Sequence, residues 1–271
     1  MGCSVSCGHG YERPSLRRVT DHLRLATWAP PLVAFGVVLL VWELLATHER
    51  FLLPTLGQVG TDLTGHLGTL LAYGGATLAE ALPGVAISYA VALLLAVGMD
   101  QSRLLTRAVL PLAVTLNVSP LLAIAPTLTL FLGLGRAPKI VMTAIITFFP
   151  ALINALAGLR SADPKALEVF QSLSASRWET LWRLQLPASL PYLFAAARVV
   201  VPLSVVGAAI AEMVAQGSTS GLGVFIEQQS ADAQLGYAWA GIVTLAVFGL
   251  VLTALIVVVE DRVLRWRGFK Q

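Results

Sequence analysis

The chain has 271 residues, of which 56% are hydrophobic and only 12% charged, and a formal net charge of +3. A soluble domain of this length carries about twice that charged fraction. Uncharged runs of about 20 residues, enough to cross a bilayer, recur along the whole chain, so the sequence describes an integral membrane protein rather than a water-soluble globule.

The first residues, Met1-Gly2-Cys3-Ser4-Val5-Ser6, fit a myristoylation pattern, although one acyl chain adds little to a multi-span protein. Cys3, Cys7 and His9 are metal-ligating residue types, but two cysteines on a short leader read better as a disordered tail. No apolar stretch precedes a small-residue cleavage site, so the first span is expected to serve as an uncleaved signal. Residues 15–27 place Leu16, Val19, Leu23 and Ala26 on one helical face, largely opposite Arg17, Arg18, Asp21 and Arg24. That pattern suits a basic helix lying in the membrane interface. Residues 1–29 are therefore expected to be a tail plus an interfacial helix.

The first span is expected over about Pro31–Thr47, with Trp28 and Trp42 near its boundaries. Glu49 to Gly75 is mixed and Gly-rich and reads as a loop with some helix. The second span covers about Leu78–Met99 and is closed by Asp100-Gln101-Ser102-Arg103. Ala108–Gly135 is uncharged but interrupted by Pro111, Pro120 and Pro126, and reads as one broken span over about Leu110–Phe131. Ile140–Leu159 is the fourth span. Leu190–Val214 and Tyr237–Val259 are the fifth and sixth, separated by a soft loop at 216–236.

Between the fourth and fifth spans lies a polar island, 160–187, with its own helix signals. Asp163-Pro164 is an N-cap followed by proline at the first helical position. Ser176-Arg177-Trp178-Glu179 is a capping box. Two short helices joined at Ser174-Ala175-Ser176 are expected outside the membrane, presented to a soluble partner.

Orientation follows from Lys and Arg. With six spans, both termini, the 100–107 loop and the island share one side, which holds fourteen basic residues against three (Arg50, Arg136, Lys139) opposite. The basic side is the cytoplasm, so both termini and the island are expected there.

All four histidines (9, 22, 48, 66) fall outside the expected spans. This leaves no His/Glu metal pattern and no membrane protease site, and none of the three lysines follows a glycine, so a P-loop is missing too. The chain is not read as an enzyme, and no cofactor or metal is expected on it. No basic patch interleaves with aromatics, so nucleic acid is not expected as a partner. Ionisable residues in or beside spans are Glu43, Glu80, Arg198 and Glu212. Such groups are functional candidates because burying them in lipid is costly. Glu43 and Glu80 sit near the external boundary, where hydration explains them, whereas Arg198 and Glu212 are expected to face protein.

At the island the sequence resembles the permease subunits of ATP-binding-cassette (ABC) importers. Their pattern is Glu-Ala-Ala, three residues, Gly, nine residues, Ile, one residue, Leu-Pro. Here Glu168 holds the acidic position, Ser174 the glycine position, Leu184 the isoleucine position and Leu186-Pro187 the closing pair, with Val169-Phe170 in place of Ala-Ala. Further likenesses follow in order: Phe51-Leu52-Leu53-Pro54, Phe131 to Lys139, Phe148-Phe149-Pro150 with Asn154, Gly158-Leu159, Ala211-Glu212-Met213 and Gly221-Leu222-Gly223. They are similar to the branch that imports nitrate, sulfonates, taurine, pyrimidine precursors of thiamine, or riboflavin-type compounds. Leu190 to Phe194 and Val201 to Gly207 lean toward the pyrimidine and flavin group.

The resemblance implies an all-α polytopic membrane protein of about six transmembrane helices, the type I importer fold, with cytoplasmic coupling helices. It implies a permease domain over 30–265, with its coupling region at 160–187, and a cytoplasmic tail at 266–271 in the bacterial inner membrane. The ATPase-coupling residues would be Glu168, Ser174, Ala175, Ser176, Arg177, Trp178, Glu179, Leu186 and Pro187. ATP and Mg would sit on separate cytoplasmic ATPase subunits. A second permease, a copy forming a homodimer or else a paralogue, and an external binding protein resting on 49–75 and 216–236 would complete the assembly. Asn117, Ser119 and Thr127 of the broken span, with Arg198 and Glu212, are candidates for the translocation path, ordinary helix–helix hydrogen bonding being an equal or better account of them. The alternative to an importer permease is a stand-alone secondary carrier or channel, which the absence of deep carboxylates disfavours.

Overall fold

The computed structural model describes residues 17–48, 53–118, 121–215, 217 and 219–266, with side chains for all of these except 17–29, 31, 32, 121, 122 and 266. The leader with Cys3, Cys7 and His9, the loop at 49–52, Ser119-Pro120 and the tail from Arg267 lie outside the described residues. All regular structure among the described residues is helical: α1 (Arg17–His48), α2 (Leu56–Gly65), α3 (Leu67–Gln101), α4 (Arg103–Val118), α5 (Leu121–Leu132), α6 (Arg136–Leu159), α7 (Pro164–Ser172), α8 (Arg177–Thr180), α9 (Leu186–Val214), α10 (Leu222–Ala231) and α11 (Leu235–Trp266). Residues Leu181–Gln185 form a π turn joining α8 to α9.

The chain divides into two compact units, Met1–Leu56 and Gly57–Gln271. In the first, α1 is unbroken across residues 29–30, so the expected boundary between an interfacial helix and a first span is not a break in the helix. Pro30-Pro31 lie inside α1, in keeping with the greater tolerance of membrane helices for proline. Trp42 Nε1 donates to the Pro54 carbonyl at 3.0 Å and the Glu43 carboxylate accepts from the Leu56 N–H at 3.0 Å. Glu43 is thus engaged by backbone, not left to water alone.

In the second unit, α3, α6, the run Arg177–Val214 and α11 are each long and apolar enough to cross a membrane. The pair α4–α5, bent by 107°, passes the same test as a broken span, and Val33–His48 of the first unit is a shorter apolar helix. Among the described residues four helices, or five with the broken pair, are long and apolar enough to cross, against the six expected; where the first span was expected, Val33–His48 is apolar but shorter. The broken span starts at Arg103, so the expected 100–107 loop is mostly helix.

Alanines make up much of the interface between α3, α6 and α9, where Ala92, Ala96 and Met99 meet Ala151, Leu152, Ala155, Leu159, Leu181 and Val200. Small residues at these positions let membrane helices approach closely where apolar attraction alone cannot drive association. The same effect explains why α3 begins at Leu67, well before the expected Leu78. Gly74 does not end the helix; its missing side chain makes room for the Phe248 ring of α11. The soft loop expected at 216–236 contains the ten-residue helix α10. Leu222 and Phe225 of that helix pack with Leu70 of α3 and Ala240 of α11.

Candidate functional site

The island is built by local chemistry. Asp163 accepts from the Lys165 N–H at 3.0 Å and Pro164 opens α7. At its other end, the Ser174 N–H donates to the Gln171 carbonyl and the Ala175 N–H to the Phe170 carbonyl. These two bonds are a Schellman motif, which needs a left-handed residue. Ser174 takes that role with φ 54°. The Glu179 carboxylate then accepts from the Ser176 N–H at 2.9 Å while Ser176 Oγ accepts from the Glu179 N–H at 3.2 Å, closing the capping box that starts α8.

One feature differs from expectation. The second short helix is not separate from the fifth span; α8, the π turn and α9 are continuous from Arg177 to Val214. The Leu186 N–H bonds to the Leu181 carbonyl across the wider turn. The π turn lies directly before Pro187, whose ring would clash with the Arg183 carbonyl in a regular helix, and the widening relieves that clash. Leu186 and Pro187 are therefore half-buried residues within one long helix.

The island rests on the α3–α4 corner. Gln185 Nε2 donates to Asp100 Oδ2 at 2.8 Å, Arg160 lies 3.9 Å from the same carboxylate, and Arg177 Nη1 reaches the Gln101 carbonyl at 3.5 Å. Asp100 and Gln185 were not singled out in the sequence. The available signal was a lone carboxylate at the end of one span and a lone amide at the start of another, on the same side. On the outer surface of the island Val169, Leu173, Trp178 and Trp182 are all exposed, the two indoles meeting edge to face with centroids 6.2 Å apart. Glu168 is exposed beside them.

Ser174 offers a direct test of the joint. A non-glycine residue held left-handed costs about 1 kcal/mol or more. Ser174→Gly is therefore expected to raise stability by about 1 kcal/mol, read as a higher thermal midpoint of the detergent-solubilised chain. An unchanged or lower midpoint would mean that the serine hydroxyl contributes something the backbone geometry does not reveal.

The described candidate path residues sit in different surroundings. Asn117 and Thr127 are exposed on α4 and α5, and Ser119 lies outside the described residues. Arg198 is paired with Glu260 of α11, Nε to Oε2 at 2.6 Å. Glu212 is 1% exposed and accepts from the Gly223 N–H at 2.7 Å. Glu80, expected to be hydrated, is fully enclosed and ion-paired with Lys139 at 2.5 Å. Two carboxylates and one ammonium, contributed by α3, α6 and α9, are thus buried together at one end of the bundle.

A bundle of apolar helices with a capped two-helix element on one side defines a multi-pass membrane protein of the transporter kind. Residues 84–265 match the family described as binding-protein-dependent transport system inner membrane component. This chain belongs to that family and is a permease component of an ABC importer. It is 31% identical over 242 residues to the formylaminopyrimidine transport permease protein ThiX of Halalkalibacterium halodurans, covering 88% of this chain and 95% of that one. It is 30% identical over 241 residues to the riboflavin transport system permease protein RibX of Chloroflexus aurantiacus, covering 87% and 89%. The fold is similar to that of a chain in a structure of inward-facing conformations of the MetNI methionine ABC transporter, with a TM-score of 0.56 at 21% identity over 72% of this chain and 93% of that one.

Proposed function

We propose that this permease moves a small heterocyclic solute of the formylaminopyrimidine or riboflavin type inward, by ATP-driven alternating access, after an external binding protein delivers it. Sulfonates and taurine are the less favoured substrates. Support for this order comes from two relatives that span most of both chains, the formylaminopyrimidine and riboflavin permeases. The sulfonate and taurine permeases align over only 56% and 55% of this chain.

The observation that carries the coupling role is the island itself. Val169 and Leu173 on α7, and the paired indoles of Trp178 and Trp182, are exposed apolar side chains among exposed Glu168, Arg177 and Glu179, on an element whose two helices each start at a side-chain cap. Exposed apolar patches rimmed by polar residues mark protein contacts, and tryptophan and arginine dominate contact energies. In this reading α7 and α8 enter a cleft on a cytoplasmic ATPase subunit that carries ATP and Mg, and both termini share that side. Closure of two ATPases then rotates two permeases, this chain and a second copy, as rigid bodies. The continuity of α8 with α9 through the π turn gives the push a direct route, because a displacement at Arg177 is delivered to the fifth span without an intervening loop.

Replacing Arg177, Trp178 and Glu179 together by alanine is expected to abolish co-purification of the ATPase subunit while the chain still inserts and remains soluble in mild detergent. Each buried tryptophan or arginine anchor contributes about 2 kcal/mol or more, so affinity should fall by at least about a hundredfold. Undiminished ATPase binding by the triple variant would exclude α8 as the docking element.

A further inference from the structure

The buried ionic cluster at the other end of the bundle has no part in ATPase docking, yet it joins four helices. Lys139, near the start of α6, is ion-paired with Glu80 of α3. Thr77, one turn before Glu80, accepts from the Leu222 N–H at 2.8 Å. Glu212, near the end of α9, accepts from the Gly223 N–H at 2.7 Å. The first two amides of α10 are therefore held by side chains from two different spans, and a carboxylate sits where the helix dipole favours it. Gly221 and Gly223 allow this approach: a side chain at Gly221 would collide with the Glu212 carboxyl group, and one at Gly223 with the Ala209 carbonyl. Glu80, Lys139, Glu212 and Thr77 are all at most 3% exposed. Apolar packing alone would hold α10 at lower cost than three buried ionisable groups. What these groups add is a fixed position for the N-terminus of α10.

We propose that Thr77, Glu80, Lys139 and Glu212 are positioning residues that seat the start of α10 on α3, α6 and α9, so that α10 moves with these spans as one body during transport. The transport part rests on the importer reading above, and the seating part does not. The first measurement is therefore hydrogen exchange on the purified full-length chain. Glu212→Ala removes the buried acceptor of the Gly223 N–H, and exchange in residues 222–231 is expected to quicken by about 10- to 100-fold while α6 is unchanged. Glu212→Gln, which keeps an oxygen for the Gly223 N–H, is expected to recover most of the protection.

The second measurement is the ion pair. Lys139→Met leaves Glu80 buried without a counter-charge, so folded yield and uptake are expected to collapse, and Glu80→Gln added to it is expected to restore both. The third is solute uptake by the assembled transporter, where Glu212→Ala is expected to lower the maximal rate about tenfold or more with KM unchanged, as a change in a moving part rather than a binding contact would. Exchange in 222–231 that stays within about threefold of wild type in Glu212→Ala overturns the seating. A double variant no better than Lys139→Met overturns the role of the pair. If the wild-type assembly shows no ATP-dependent uptake, the importer reading fails, and the exchange and yield measurements still decide the seating.

Discussion

Gly223→Ala is expected to destabilise the protein by about 3 kcal/mol or more, at or beyond the upper end for an overpacked core. The added Cβ would overlap the carbonyl group of Ala209, which is backbone of α9 and has no rotamer through which to retreat. Nor can α10 draw back, because the Gly223 N–H donates to Glu212 and the neighbouring Leu222 N–H to Thr77. Relief of the clash therefore breaks two buried hydrogen bonds as well. In a unit of this size about 3 kcal/mol corresponds to a fall of roughly 6–12 °C in thermal midpoint. Gly75→Ala is the matched control, since nothing lies within 4 Å of a side chain added there. It removes the flexibility of a glycine inside α3 and is expected to raise stability by about 0.5–1 kcal/mol. Equal midpoints for the two variants would show that the close approach of α10 to α9 is not held as described.

The contrast between these two glycines also shows what the sequence made legible. Local signals were read well. Asp163-Pro164 and the Ser176–Glu179 box depend only on neighbours within one helical turn, and each occurs where its spacing required; the left-handed φ of Ser174 is seen only in the structure. Glycines were read less well. Gly74, Gly75, Gly221 and Gly223 look like punctuation in a soluble chain, and the segments holding them were expected to be loops. Gly74 and Gly223 are instead points where helices touch, and Gly221 alone among the four has a left-handed φ, of 122°.

The ionic cluster was missed for a different reason. Glu80, Lys139 and Glu212 enter the sequence reading one at a time: Glu80 as a hydrated boundary carboxylate, Lys139 as an external basic residue, and Glu212 as a group facing protein. Yet alternating spans put the outer ends of the second, fourth and fifth on one side, so three ionisable groups at the same depth were already implied by the sequence. What it did not contain is the packing that brings them into contact. The same limit applies to Asp100 and Gln185 at the opposite end.

Arg198→Met is expected to destabilise the protein by about 2–3 kcal/mol, somewhat less than the roughly 3–5 expected when a fully enclosed pair is broken. The pair is asymmetric. The Arg198 side chain is 41% exposed, whereas the Glu260 side chain is 5% exposed and reaches the guanidinium at 2.5 Å. Removing the arginine strands a carboxylate that α11 holds away from water, and the cost is that of an unpaired buried charge. Removing the carboxylate by Glu260→Gln leaves an arginine that can extend into solvent or the headgroup region, so the loss should be about 1 kcal/mol or less. The double variant, Arg198→Met with Glu260→Gln, strands nothing and should recover most of the deficit of Arg198→Met alone. This order separates a structural clamp between α9 and α11 from a solute-binding role for Arg198. A clamp predicts that the double variant regains both thermal midpoint and uptake. An arginine that binds the solute predicts recovery of the midpoint with uptake still lost, because the charge that met the solute would be gone. Thermal unfolding and uptake measured on the same three variants decide between the two, and the 2.6 Å bond from Nε to the enclosed carboxylate favours the clamp.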